Sequence, residues 1–144
     1  MLRTLLLIAV IAATANAGGT VAPAAQVKTW LKQPLMVAAL NEQAQIQHLS
    51  YVQTGAVIDA LYTQGPNDAD EVTDLGATIT EKKVIFKLWA PTAQKVELLL
   101  FNDDLTPAET PRLTMIEDTH SGVWSITTDS SLNSAYYQYQ VTVY

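Results

Sequence analysis

The most informative absence in this sequence is cysteine. None of the 144 residues is a cysteine, so the fold uses no disulfide, and a lipid-modified cysteine at a mature N terminus is excluded. The two histidines, His48 and His120, are isolated and do not make a zinc set. The sequence also has no Gly-Lys phosphate loop and no nucleophile elbow. We therefore predict no metal and no cofactor.

Positive charge is scarce as well. Eight Lys and Arg residues face 14 Asp and Glu residues, which gives a net charge of −6, and no stretch concentrates the basic residues. Because a phosphate backbone needs a basic face, nucleic acid is excluded as a partner. The apolar content of 49% is enough for a core. The length indicates one domain, or one domain plus a piece of another.

Long apolar runs are missing too. The longest one, Leu5 to Ala13, follows the positive Arg3 and ends too soon for a membrane span, which needs about 20 apolar residues. Ala15-Asn16-Ala17 matches the small-x-small rule before a cleavage site. We predict that residues 1–17 are a signal peptide cut after Ala17. The mature chain is then exported, without a membrane span, and is periplasmic or extracellular.

The segment between this leader and residue 74 carries mixed signals. Residues 18–33 are small and flexible at their start and are predicted to form a linker, with Trp30 packing against a domain further upstream. Residues 34–73 form a lead-in segment with two predicted strands, Leu35–Leu40 and Gln45–Gln53, followed by a short helix or turn at Val57–Tyr62. Two strands do not make a stable domain, so we interpret the lead-in as the tail of an upstream domain.

A loop with four carboxylates closes the lead-in. Asp68 and Asp70 would fit two positions of a calcium loop, but Val72 stands where an oxygen ligand belongs and the required glycine is absent. We therefore predict a solvated acidic loop.

From residue 74 onward the pattern is that of short strands separated by turns, one of them the turn at residues 102–111. The strands are rich in Val, Ile, Tyr, Phe and Trp, and this spacing indicates an all-β fold, an immunoglobulin-like antiparallel β-sandwich over residues 74–144. The predicted strands are Ile79–Thr80, Val84–Ala90, Val96–Phe101, Val123–Thr128 and Tyr136–Tyr144.

One of these strands shows apolar residues on both faces. The alternation directs Val96, Leu98 and Leu100 inward and leaves Leu99 and Phe101 on the outer face. Such an apolar outer face often marks a partner surface. Leu99 and Phe101 are therefore the predicted docking face.

Five aromatic residues need assignment. Period two sends Tyr137 and Tyr139 to the core side and Tyr136 and Tyr144 to the other side. Trp89 either fills the edge of the sandwich or offers its ring to a sugar. The candidate carbohydrate-binding residues are therefore Trp89, Tyr136 and Tyr144.

Four motifs carry a family resemblance: LGA from residue 75, FKLWAPTA from residue 86, GVW from residue 122 and YYxYxV from residue 136. With them, residues 34–144 resemble the glycogen-binding-like β-sandwich module that precedes the catalytic barrel in bacterial type I pullulanases, debranching enzymes of the alpha-amylase superfamily. The resemblance implies hydrolysis of α-1,6 links by two carboxylates on that barrel. None of them can be assigned to this chain, so no catalytic residue is predicted.

The sequence departs from the glycogen-binding members at one place. Those members carry a sugar-stacking tryptophan in the loop after the strand that ends here at Phe101, whereas residues 102–115 contain no aromatic residue.

The resulting functional prediction is an accessory role. The chain is expected to be a noncatalytic N-terminal part of an exported pullulanase-like enzyme that docks the catalytic barrel, and to be inactive alone. The alternatives are a stand-alone α-glucan-binding module (for starch, glycogen or pullulan) and a purely structural exported sandwich. Because the strand alternation runs to Tyr144, we expect the chain to be a fragment of a longer protein.

Overall fold

The computed structural model describes the backbone of residues 9–10 and residues 22–129 and 136–144. The predicted leader and its cleavage site otherwise lie outside the described residues, as does the turn expected at residues 130–135. In the described part, no helix combines the length and the apolarity that a bilayer crossing requires.

Ten strands, two α-helices and one 3-10 helix are described, and two regions can be separated along the chain. The upstream region contains β1 (Ala9–Val10), α1 (Ala24–Trp30), β2 (Leu35–Leu40), β3 (Ile46–Tyr51), α2 (Gly55–Tyr62) and the 3-10 helix Ala69–Glu71. The downstream region contains β4 (Gly76–Ile79), β5 (Lys83–Trp89), β6 (Lys95–Phe101), β7 (Pro107–Thr114), β8 (Ile116–Asp118), β9 (Val123–Asp129) and β10 (Tyr136–Thr142).

The downstream strands form two antiparallel sheets. One has the order β4-β5-β9-β8 and the other the order β10-β6-β7. Each sheet buries one face against the other, as a sandwich requires. The prediction of an all-β antiparallel sandwich is confirmed.

The core lies between the two sheets. Val96 and Leu98 of the central strand β6 are fully buried and Leu100 is 3% exposed, which confirms the inward face predicted from the alternation. Phe86 of β5 and Trp124 of β9 meet them from the other sheet, with Ala93 and Met115 completing the cluster.

The prediction of a turn over residues 102–111 is wrong for its second half, because β7 begins at Pro107. This strand contains two prolines, Pro107 and Pro111, and proline normally argues against a strand. β7 is an edge strand, however, with only β6 as a neighbour, so a missing N–H on its free side costs no ladder bond.

The two strands predicted in the lead-in are confirmed. β2 and β3 form an antiparallel hairpin, and β1 pairs with β2 in parallel. Asn41 makes the turn because its side-chain oxygen accepts hydrogen bonds from the backbone N–H groups of Gln43 and Gln45, at 3.0 and 2.9 Å. The segment left open as helix or turn is the helix α2.

The structure differs from the linker expected for residues 18–33, because part of that segment is α1. Small residues at the start of the segment obscured an i, i+4 pair, Val27 and Leu31, of which Leu31 is 3% exposed. Trp30 lines a cavity of about 320 Å³ together with Leu35 and Val57 of the lead-in. The helix is held by packing and by the contacts of its lysines, described below.

Candidate functional site: the outer faces of the sandwich

The outer face of the β10-β6-β7 sheet contains residues from two separate predictions, the sugar-binding residues and the docking residues. Strand register places Tyr136 opposite Phe101 and Gln138 opposite Leu99. The candidate sugar residue Tyr136 and the candidate docking residues therefore share one surface. We call it the front face, comprising Glu97, Leu99, Phe101, Arg112, Tyr136, Gln138 and Gln140.

One end of the front face is apolar. Leu99 and Phe101 are half-buried and line a shallow cavity of about 240 Å³ with Pro107 and Pro111 of β7. Tyr136, beside them, is 53% exposed. This end offers an aromatic ring and a small apolar recess to a ligand or a partner.

The other end of the front face is charged. Glu97 is only 6% exposed and accepts hydrogen bonds from Lys95 Nζ at 2.9 Å and from an Arg112 guanidinium nitrogen at 3.0 Å. The same nitrogen donates to the Gln140 side-chain oxygen at 2.8 Å. The bond from Lys95, followed by that from Arg112, holds the pKa of Glu97 below its usual value despite burial. The guanidinium is thus fixed across three strands.

Trp89 lies on the opposite side of the molecule. It is the last residue of β5, and the inward position of Phe86 places it on the outer face of the other sheet. The indole is 36% exposed, and its Nε1–H donates to the Ser121 carbonyl at 3.0 Å, which fixes the ring at the strand end. Trp89 and Tyr136 therefore cannot stack on the same sugar.

Tyr144 is also separate from Tyr136. It follows the end of β10 and is 63% exposed. A strand rises roughly 3.3 Å per residue, so the eight positions between the two tyrosines correspond to roughly 26 Å. The structure does not bring the three predicted sugar residues together.

Three other aromatic residues lie on the core side of their strands. Tyr137 meets the core residue Phe86 edge to face at 5.0 Å, and Tyr139 meets Tyr137 at 5.5 Å. Burial raises the pKa of Tyr139 to about 12. Trp124 is 6% exposed and donates its indole N–H to the Ala90 carbonyl at 3.0 Å.

A second concave region, which the sequence did not predict, lies between α1 and the β8–β9 turn. Lys28 Nζ donates to the carbonyls of Thr119 and His120, at 2.9 and 2.7 Å, and lies 4.1 Å from the centre of the Tyr62 ring. Lys32, two residues past the end of α1, forms an ion pair with Glu117. The cavity here measures about 480 Å³. The i, i+4 spacing of the two lysines was the available signal, but their target is more than 80 residues away in sequence.

The lead-in loop is also tied to this turn. His120 Nε2 lies 3.1 Å from the Pro66 carbonyl, and Tyr62 is 1% exposed against Gly122. Burial raises the pKa of Tyr62 to about 12. The lead-in thus packs on the sandwich.

The acidic loop is not fully solvated, contrary to the prediction. Asp68 is 3% exposed and faces Lys28 and His120, whereas Asp74 pairs with Lys87 at 2.7 Å. Over the described ranges, no three or more His, Cys, Asp or Glu side chains form a group that could hold a metal ion.

The chain is therefore a two-sheet antiparallel sandwich with a shallow cavity on one outer face, and its lead-in packs on the β8–β9 turn. Residues 74–144 match the family model of carbohydrate-binding module 48, described as the isoamylase N-terminal domain.

Several pullulanases are similar to this chain. Pullulanase of Klebsiella pneumoniae is 32% identical over 120 residues, which are 83% of this chain and 10% of that protein. The crystal structure of K. pneumoniae pullulanase complexed with maltotriose matches with a TM-score of 0.71 and 33% identity over 82% of this chain and 11% of the other. PulA from Klebsiella oxytoca matches with a TM-score of 0.73 and 30% identity, covering 91% of this chain and 11% of that one.

These matches cover most of this chain but only a small part of each relative. They reach well upstream of residue 74, so they include much of the lead-in as well as the sandwich. The chain spans about a tenth of the length of these relatives.

Proposed function

We propose that this chain is a noncatalytic N-terminal accessory part of an exported pullulanase-like enzyme that hydrolyses α-1,6-glucosidic links in pullulan and starch. The observation that carries the proposal is the match to pullulanases over both the sandwich and the lead-in, at 30–33% identity. A debranching site would then lie on the catalytic barrel of the parent enzyme, which takes about 250 residues.

The arrangement of carboxylates in the described residues supports a noncatalytic role. Glycoside hydrolysis needs two carboxyl groups on either side of a reachable bond. Glu97, Asp74 and Glu117 each hold a lysine or an arginine in a structural ion pair. Asp68 and Asp70 lie close together, but Asp68 is 3% exposed, so a sugar cannot reach it. We expect no reducing ends to be released from pullulan by the chain alone.

The apolar end of the front face supports a docking role. Leu99 and Phe101 leave a recess that a side chain of the barrel would fill, and the fixed Arg112 guanidinium beside it can donate further hydrogen bonds to the rim. Such an apolar centre with a polar rim is the usual build of a protein interface.

A second candidate function, α-glucan binding, uses the same surface. Tyr136 presents an exposed ring, and the amides of Gln138 and Gln140 lie on the same face within the same strand. Rings that stack on sugar faces and planar amides that bond hydroxyl groups are suited to a polyhydroxylated ligand. One surface cannot hold both a barrel and a glucan chain at the same place, so the two functions compete.

Affinity electrophoresis in gels containing amylopectin tests the second function. Glucan binding at the front face predicts that the wild-type chain is retarded and that Tyr136→Ala abolishes the retardation. Tyr51→Ala is the matched control, because Tyr51 is 67% exposed on the distant β3 strand. Loss of retardation in Trp89→Ala instead would show that the sugar binds at the opposite face. Absence of retardation in the wild type and in all variants would exclude glucan binding by this chain.

Assembly with a separately expressed barrel tests the first function. Leu99→Asp or Phe101→Asp places a charge at the centre of the proposed interface and should weaken the complex at least tenfold. Ile116→Asp is the control, since Ile116 is 75% exposed on the edge strand of the other sheet. Equal assembly of all three variants would show that the barrel docks elsewhere.

Two further parts of the proposal concern the chain upstream of the sandwich. Export with cleavage after Ala17 is tested by N-terminal sequencing of the released product, which should begin at Gly18. The proposal that residues 34–73 are the tail of an upstream domain is supported by the apolar side chains that β3 leaves exposed, Ile46, Leu49 and Tyr51.

A further inference from the structure

The loop that joins α2 to the sandwich contains a buried carboxylate with an unsatisfied oxygen. Asp68 is 3% exposed, and one of its oxygens, Oδ2, accepts a hydrogen bond from the Gly65 backbone N–H at 2.5 Å. The other oxygen, Oδ1, has no hydrogen-bond partner. A buried acceptor that is left unpaired is costly, so its surroundings need an explanation.

A second carboxyl group, on an exposed residue of the same loop, lies beside this carboxylate. The Asp70 side chain lies within hydrogen-bonding reach of Asp68. Two ionised carboxylates cannot bond, because both only accept. A proton or a cation shared between them would remove the repulsion of two like charges.

The surroundings favour the proton. A hard cation such as calcium takes six to eight oxygen ligands, and the described residues offer no set of three acidic or histidine side chains at any point. The third acid of the loop, Glu71, is turned away, since its carboxylate accepts from the Asn67 N–H at 2.8 Å. Two basic groups face Asp68 from other elements, Lys28 of α1 and His120 of the β8–β9 turn.

We propose that Asp68 and Asp70 share one proton and form an acid-sensitive clasp, which fastens the loop of residues 65–71 to the corner built by α1 and the β8–β9 turn. The protonated carboxyl of Asp70 donates to the orphaned oxygen of Asp68. The loop then holds the Pro66 carbonyl against His120, at 3.1 Å, and closes the corner around Tyr62. This inference is independent of the proposed function, because it concerns only contacts within the chain.

The titration of the pair sets the pH window. The bond with Asp68 raises the pKa of Asp70, and the bond with Asp70 lowers the pKa of Asp68. The contribution of Asp70 is present below its usual pKa of 3.8 and is lost as the pH rises through its raised value. The contribution of Asp68 is lost as the pH falls through its lowered value. The clasp is therefore strongest between the two values, where the pair binds one proton, and opens toward neutral pH.

Carboxyl carbon chemical shifts of the full chain, followed by NMR from pH 7 to pH 2, measure this directly. The proposal predicts two separated apparent pKa values for the pair, one on each side of 3.8. Asp70→Asn supplies a permanent donor, so it should raise the melting temperature at pH 7 by about 2–5 °C and remove the pH dependence of Gly65 amide exchange. Asp103→Asn removes one carboxylate from an exposed turn and should change neither.

Three results would overturn the clasp. Coincident pKa values for Asp68 and Asp70 would show that no proton is shared. A lower melting temperature for Asp70→Asn at pH 7 would show that the ionised form is the native partner. A rise in melting temperature with millimolar calcium chloride, lost in Asp70→Asn, would show that a cation bridges the pair. Asp68→Asn, which should be destabilised at acidic pH and keep the fold, provides the second variant.

Discussion

Strands β3 and β6 both carry apolar side chains but have opposite surroundings. In β6, Val96 and Leu98 are fully buried, because this strand is central in its sheet and a second sheet covers it. In β3, every residue is exposed, including Ile46 at 59% and Leu49 at 46%, because β3 is an edge strand and no second layer among the described residues covers it.

Apolar residues in a strand-like segment therefore predict a strand but not its burial. Period two states which residues share a face. Whether the face is buried depends on what packs against it, and that information is distributed over the rest of the fold. The contribution of each strand to stability should therefore differ far more than its sequence suggests.

Truncating one leucine in each strand tests the difference most strongly. Leu98→Ala removes a fully buried side chain and should lower the free energy of unfolding by about 2–5 kcal/mol. Leu49→Ala removes a side chain that is 46% exposed and should cost less than about 1 kcal/mol. Urea unfolding of the two variants provides the measurement. Equal losses would mean that β3 is covered in solution.

The β8–β9 turn, against which Tyr62 of the lead-in packs, is expected to be nearly as sensitive. Gly122 has φ of +71°, and a Cβ there would lie 2.8 Å from Pro91 Cβ and 3.0 Å from the Tyr62 ring. Gly122→Ala should therefore cost about 2–3 kcal/mol. Gly55→Ala is the matched control, since a Cβ at Gly55 meets nothing within 4 Å. A loss that is the same for both glycines would exclude close packing of the lead-in.

The ion pair between Lys32, which follows α1, and Glu117 of β8 should contribute less. Lys32 and Glu117 are 21% and 14% exposed at their side chains, and Lys32→Met leaves Glu117 without its cation. We expect a loss of about 1 kcal/mol, measured by thermal unfolding. Lys82→Met, at an exposed turn, is the control and should have no effect. An unchanged melting temperature in Lys32→Met would mean that α1 does not stabilise the sandwich.

The smallest expected effect is a pH dependence at the front face. Because its folded pKa is lowered, Glu97 stabilises the sandwich above its usual pKa of 4.5, and this contribution is lost as the pH falls through the lowered value. Glu97→Gln should therefore show a shallower fall in melting temperature between pH 5 and pH 3 than the wild type. A parallel fall would show that Lys95 and Arg112 do not favour the ionised form.

The sequence allowed much of the sandwich to be predicted, because its strands are dense in β-branched and aromatic residues and its inward positions alternate strictly. It did not reveal β7, since Pro107 and Pro111 read as turn residues and their tolerance depends on an edge position. It did not reveal that α1 docks, because Lys28 and Lys32 find their partners on β8 and on the turn after it, which are distant in sequence.

For the candidate site, the face of each residue was predictable but the grouping was not. Alternation correctly placed Tyr137 and Tyr139 on the core side. Only strand pairing shows that Tyr136 lies opposite Phe101 and that Trp89 belongs to another surface. Register between strands that are more than 30 residues apart is a tertiary property.

The most direct test of the accessory role is hydrogen exchange of the full chain with and without the catalytic barrel of the parent enzyme. The account predicts slower exchange in β6 and β7 when the barrel is added, and unchanged exchange in β3. A barrel-bound chain whose β6 and β7 amides exchange at the same rates as in the free chain would contradict it.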